Sequence, residues 1–163
     1  VNDPTRGAAA AKPEWHPKIR EIYEYWRRIH PAPGTLPGRQ HFDPLQIHTL
    51  LPNIWLIDVI RPQLRFRYRL VGTRITEALG DTTGQWLDDV HPDFHPGSPT
   101  HQNYLSIANG GAPSWRRGPP MLMAYSERCA EIERLLLPLA SDGATVDVIV
   151  ALTVMFGLDG TEK

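Results

Sequence analysis

The sequence predicts an α+β domain, a five-stranded antiparallel sheet with helices packed on one face and a further helix flanking it at the N-terminal side. Three observations carry this. The stretch Leu64-Arg-Phe-Arg-Tyr-Arg-Leu70 alternates strictly between apolar and basic residues, so Leu64, Phe66, Tyr68 and Leu70 share one face only at a period of two. Apolar runs separated by turn residues occur as hairpins towards both ends of the chain. Segments of helical spacing lie before and between them.

In order, residues 1–15 read as a flexible leader, without the 7–15-residue apolar region of a secretory signal. From His16 to His30, the residues Ile19, Ile22, Tyr23, Trp26 and Ile29 recur at helical spacing, and Pro17 suits a first helical position. Pro31, Pro33 and Gly34 stop this helix. A second, short helix is expected after Asp43 as N-cap, ended by Pro52. Two strands follow, Asn53 to Arg61 and Leu64 to Val71, joined as a hairpin at Pro62-Gln63. Gly72 permits a tight turn, Thr73 is placed to cap a short helix, and Gly80 stands where a left-handed helix end favours glycine. An irregular stretch and a loop containing proline and histidine lead to Ser98-Pro99, which opens a helix carrying Tyr104, Leu105, Ile107 and Ala108 and closed by Gly110-Gly111. The last three strands are expected at Met121 to Cys129, Ile132 to Ala140 and Thr145 to Phe156, with Pro138 tolerable only near a strand end or an edge.

Composition narrows the function. With 17 Lys and Arg against 18 Asp and Glu, the formal net charge of -1 offers no global field for nucleic acid or an anionic membrane. No window approaches the roughly 18 apolar residues of a membrane span. The single cysteine, Cys129, excludes an internal disulfide and a CxxC metal framework, which points to a cytoplasmic protein.

The segments Leu36-Pro-Gly-Arg39, Phe42-Asp-Pro44, Leu50-Leu-Pro52, Asp58, Arg67-Tyr-Arg-Leu-Val-Gly-Thr73, Gly80, Thr83-Gly84 and Leu137-Pro-Leu139, in this order, resemble a bacterial subgroup of the PAS domain family. The resemblance implies a flanking helix over residues 16–33, a PAS-like domain over 34–158 and a tail over 159–163. It implies a stand-alone sensory or regulatory module in bacterial signal transduction, not a catalyst. In such a fold the middle helices cover the sheet, and a small-molecule ligand lies between the two. The residues placed to line that space are Trp55, Ile57, Phe66, Tyr68, Trp86, Tyr104, Ile107, Met121, Met123 and Tyr125. They serve equally as an ordinary core. The flanking helix, through Ile19, Ile22, Tyr23, Trp26 and Ile29, either packs on the sheet or pairs with its copy in a homodimer. Asp159-Gly-Thr161 resembles the tripeptide that joins such a sheet to an output helix.

Cofactors are tested by residue type. A flavin photocycle of the light-sensing kind wants a cysteine on a middle helix, whereas Cys129 ends an expected strand. Haem wants an axial histidine; His91 and His95 straddle prolines in what reads as a surface loop, where they would be solvated and bind no metal. Neither haem nor flavin is expected, and an unidentified small molecule remains the candidate ligand. Arg65, Arg67 and Arg69 form a basic stripe on the outer face, with Arg116, Arg117, Arg128 and Arg134 nearby, balanced by Asp58, Glu131 or Glu133 or else open to an anion. Two other readings stand beside the ligand sensor. One is a ligand-free dimerisation or scaffold domain that docks an unknown signalling protein. The other is a small cone-shaped isomerase-like enzyme with Asp58 or Asp147 as base.

Overall fold

The computed structural model describes residues 14–121 and 129–163, so most of the leader, together with Met123, Tyr125, Arg128 and most of the strand expected at 121–129, lies outside the described residues. The five strands are β1 (Ile54–Ile60), β2 (Arg65–Val71), β3 (Ser114–Gly118), β4 (Glu131–Leu139) and β5 (Val148–Phe156), in one antiparallel sheet of order β2-β1-β5-β4-β3. The helices are α1 (Pro17–Arg28), α2 (Thr73–Leu79), α3 (Leu87–Val90) and α4 (Pro99–Gly110). β3 lies ahead of the expected third strand, and the one-turn α3 falls where only irregular chain and loop were expected.

Both faces of the sheet are covered. α1 docks Ile19, Ile22, Tyr23 and Trp26 onto Leu135, Leu137, Val150 and Leu152, while Ile75 of α2, Leu87 of α3 and Tyr104 and Ile107 of α4 cover Trp55, Ile57, Phe66 and Ile149 on the opposite face. As a result all nine residues of β5 are buried, because the central strand has protein on either side. The sandwiching also determines the use of α1. Of the two arrangements expected for it, the apolar stripe takes the packing on the chain's own sheet, with Ile19 and Ile22 at 0% exposure and Ile29 half-buried at its end.

Polar contacts fix α1 at both ends. His16 caps it by accepting from Lys18 N at 3.2 Å, Trp26 Nε1 donates to Pro138 O at 3.0 Å, and His16 N donates to Glu133 Oε1 at 3.0 Å. Glu133 is fully buried and also accepts from Trp115 Nε1 at 3.1 Å. Pro138 sits where its missing N–H does no harm, since β3 pairs with β4 only as far as Leu136. At the far end Asp159 Oδ1 accepts from Thr161 N and Oγ1, Glu162 pairs with Phe156, and the Glu162 carboxylate meets Lys18 and His16.

The segment Pro44–Asn53 is 3-10 rather than α-helical, interrupted at Ile47 (φ -131). Asp43 caps it as expected, accepting from Leu45 N at 3.0 Å. Its end abuts Gly72, where a Cβ would lie 2.3 Å from Leu51 O and 2.6 Å from the carbonyl oxygens of Pro52 and Ile54. Gly72, not Thr73, is the N-cap of α2, and glycine is needed there for this close approach. β2 departs from its simple alternation at one point. A bulge shifts the register between Leu56 and Ile57, so Tyr68 points inward but Leu70 is 48% exposed and Val71 takes its place on the inner side. Leu64 lies in the hairpin turn with φ 54, outside the strand.

Candidate functional site

The layer between the sheet and α2–α4 is built by period-two placement on the strands. β1 turns Trp55 and Ile57 into it, β2 turns Phe66 and Tyr68, and α4 lays Tyr104 and Ile107 over them; each of the six is at most 2% exposed. Of the other lining candidates, Trp86 lies elsewhere, beneath the guanidinium groups of Arg65 and Arg67 at 4.2 and 5.6 Å, and Met121 is exposed. Trp86 is held there because the chain just before it adds to the free edge of β2, Tyr68 N donating to Gln85 O at 2.9 Å.

The rings interlock. Tyr104 meets Phe66 at 5.3 Å and Phe94 at 5.1 Å, His101 meets Phe94 at 5.2 Å, and Trp55 lies 5.6 Å from Tyr68. Beside Leu64, Phe66, Phe94 and His101 a cleft of about 160 Å³ opens to the surface.

Into this aromatic layer the fold places polar groups. His91, at the end of α3, is only 1% exposed, and its Nε2 is 2.6 Å from Tyr68 Oη. This corrects the solvated loop histidine expected from the flanking prolines: the short α3 turns the ring inward. Burial, reinforced by the positive charge of Arg134, pushes its pKa down from 6.5 to about 4, against a smaller opposing effect of Asp93. The imidazole is therefore neutral at pH 7. Burial likewise pushes the Tyr104 hydroxyl up to about 12. Trp55 Nε1 donates to Thr153 Oγ1 at 3.0 Å. His91 Nδ1, His101 Nδ1 and Tyr104 Oη are buried without a hydrogen-bond partner, although buried polar groups are nearly always paired.

Arg134, expected with the outer basic stripe, is instead buried in this layer, its Cζ 5.9 Å from the Tyr104 ring. Arg116 pairs with it across β3 and β4. The stripe itself is balanced by carboxylates: Arg67 and Arg69 each lie 3.1 Å from Asp58, and Arg65 lies 3.0 Å from both Asp88 and Asp89. Asp58 on β1 thus joins two arginines of the edge strand β2. No group of three or more His, Cys, Asp or Glu suited to a metal exists among the described residues, and His95 is exposed and turned to Pro96 O. Nor is any described helix long and apolar enough to cross a membrane.

Residues 15–85, from the start of α1 past α2, match the family model described as PAS domain. Over these residues the chain is similar to a PAS domain. No curated protein matches it. The match and the five-stranded sheet, with α1 flanking the domain, agree with the resemblance read from the sequence, and a PAS domain is a sensory or regulatory module. Sequence reasoning missed two residues of this interior layer, His91 and Arg134. Arg134 had a signal: Ile132, Arg134 and Leu136 share one face of β4, so parity alone puts the arginine with the inner residues.

Proposed function

We propose that this PAS domain is a non-catalytic sensor in bacterial signal transduction that binds a small molecule between its sheet and α2–α4. The observation that carries the reading is the set of unpartnered polar atoms, His91 Nδ1, His101 Nδ1 and Tyr104 Oη, gathered in a mainly apolar and aromatic layer. Such atoms cost stability in the ligand-free fold and gain partners when a ligand supplies them. A ligand that favours one arrangement of α3 and α4 over another would shift the population of the two, and the sheet would pass the difference to the elements docked on its far face. The site would be cytoplasmic and the protein a homodimer acting on a signalling partner, with surfaces other than the buried stripe of α1 forming the contact.

Native mass spectrometry of the purified protein, followed by denaturation in the same instrument, tests this. A small molecule released on unfolding supports the sensor, and protein that purifies empty and gains no mass from a metabolite extract overturns it. A second reading, a ligand-free scaffold that docks other proteins, is favoured by the close interlocking of Phe66, Phe94, His101 and Tyr104. It predicts an empty protein that still forms dimers or captures its partner.

A further inference from the structure

The distribution of charge over the two faces of the sheet bears on the chemistry of the ligand. Arg65, Arg67, Arg69 and Arg117 are substantially solvated, and each has a carboxylate oxygen within 3.1 Å. The arginines turned inward are treated in the opposite way. Arg134 is 4% exposed, and among the described residues neither it nor Arg116 forms an ion pair. The two stand directly opposite one another on β4 and β3, so their charges repel. Burial and the charge of Arg134 both lower the basicity of Arg116. Arg116 Nη2 reaches Pro119 O at 2.5 Å, while its Nη1 is buried with no partner. Glu133, the nearest acid in sequence, turns to the other face of the sheet, where His16 N, Trp115 Nε1 and Arg117 engage it.

A fold optimised for stability alone would pair such charges or replace them with apolar side chains. Violations of this kind mark functional sites. Arg134 Cζ stands 5.9 Å from the ring of Tyr104, whose hydroxyl is buried without a partner, and the Tyr104 ring in turn meets Phe66 and Phe94, which line the cleft.

We propose that the inner side of β3 and β4 is an oxyanion site, and that the ligand of this domain is a small organic acid held through its carboxylate by Arg134 and Arg116. The guanidinium fork matches a carboxylate in geometry and charge. Tyr104 Oη is an available donor to it. The carbon body of the acid stacks on the rings of Phe66 and Phe94, which inorganic phosphate would leave unused. This inference rests on the sensor reading, because it takes the same space as the binding site.

The test is calorimetric titration of the full chain with benzoate and hexanoate, with benzamide and hexanamide as neutral counterparts and inorganic phosphate as the bare oxyanion. Wild type is expected to bind at least one of the acids and neither amide, and Arg134→Met to weaken that binding at least tenfold. Melting temperatures in the absence of ligand give the second readout. Arg134→Met is expected to melt at or above wild type, since it removes an unpaired buried charge. Equal binding of acid and amide, unaffected by Arg134→Met, overturns the anion while leaving a pocket and the sensor reading. Phosphate binding as tightly as the acids overturns the organic acid. No heat from either acid, with Arg134→Met melting below wild type, makes the arginine pair a structural feature and overturns the proposal; an empty protein in native mass spectrometry would then remove the sensor reading as well.

Discussion

Acidifying the protein should charge His91 in the unfolded chain long before the folded one. The native imidazole is held at a pKa of about 4 by burial and by Arg134, against an ordinary value of 6.5. A base whose pKa falls on folding binds more protons when unfolded, so its contribution is intact above the unfolded value and is lost as pH falls from 6.5 towards 4. Integrating the two protonation curves from about pH 7 to about pH 4.5 gives a loss of roughly 2.5 kcal/mol from this one side chain. That is a sizeable part of the roughly 5–15 kcal/mol that holds a domain together. Urea unfolding of wild type and His91→Gln across this range isolates the effect, because titrating carboxylates affect both proteins alike. The absolute stability of His91→Gln is immaterial; the difference in slope is the readout. Parallel pH profiles for the two proteins would refute the reasoning, as would a His91 ring resonance that titrates near pH 6.5 in the folded protein.

Gly72→Ala places a methyl within 2.3–2.6 Å of three carbonyl oxygens, so one backbone segment must move; a loss of about 3 kcal/mol in chemical denaturation is expected. Tyr68→Phe leaves His91 Nε2 buried without its partner and should cost about 1–3 kcal/mol, whereas Tyr104→Phe deletes a hydroxyl that has none and should leave the melting temperature unchanged or raise it. A reversed order of these two variants would show that Tyr104 Oη is satisfied in the native protein. Ile22→Asp buries a charge between α1 and the sheet and should lower stability by more than about 3 kcal/mol, read by circular dichroism on heating. A folded monomer with wild-type melting behaviour would instead assign Ile22 to an interface between copies.

The elements with strong periodicity were legible. The helix from Pro17, the hairpin of β1 and β2, and the hairpin of β4 and β5 follow from spacing and turn residues within a residue or three of their bounds. What escaped was set by contacts distant in sequence. The bulge opposite Leu56 and Ile57 is a property of two strands, so nothing within β2 announces that Leu70 will face solvent. The 3-10 path of Pro44–Asn53 is fixed by its approach to Gly72 rather than by its own periodicity. In the candidate site, Trp55, Ile57, Phe66, Tyr68, Tyr104 and Ile107 were found because aromatic and branched residues report burial. His91 was not, since its burial depends on four residues of α3 that carry too short a pattern to read. Arg134 was misplaced because charge was given more weight than parity.

Glu133 gives α1 and β3 a common fate. Its one oxygen Oε1 holds the backbone N–H at the start of the helix and the indole N–H of Trp115 on the edge strand, while Trp15 stacks on Trp115 at 6.0 Å. Lifting the helix start would strand a buried carboxylate and uncover an indole together, so partial peeling of this corner is disfavoured and the two elements should open as a single cooperative unit. In hydrogen exchange, the amides of the first turns of α1 and of β3 would then share one opening free energy. A partner that pulls on the helix would thereby also act on the far edge of the sheet.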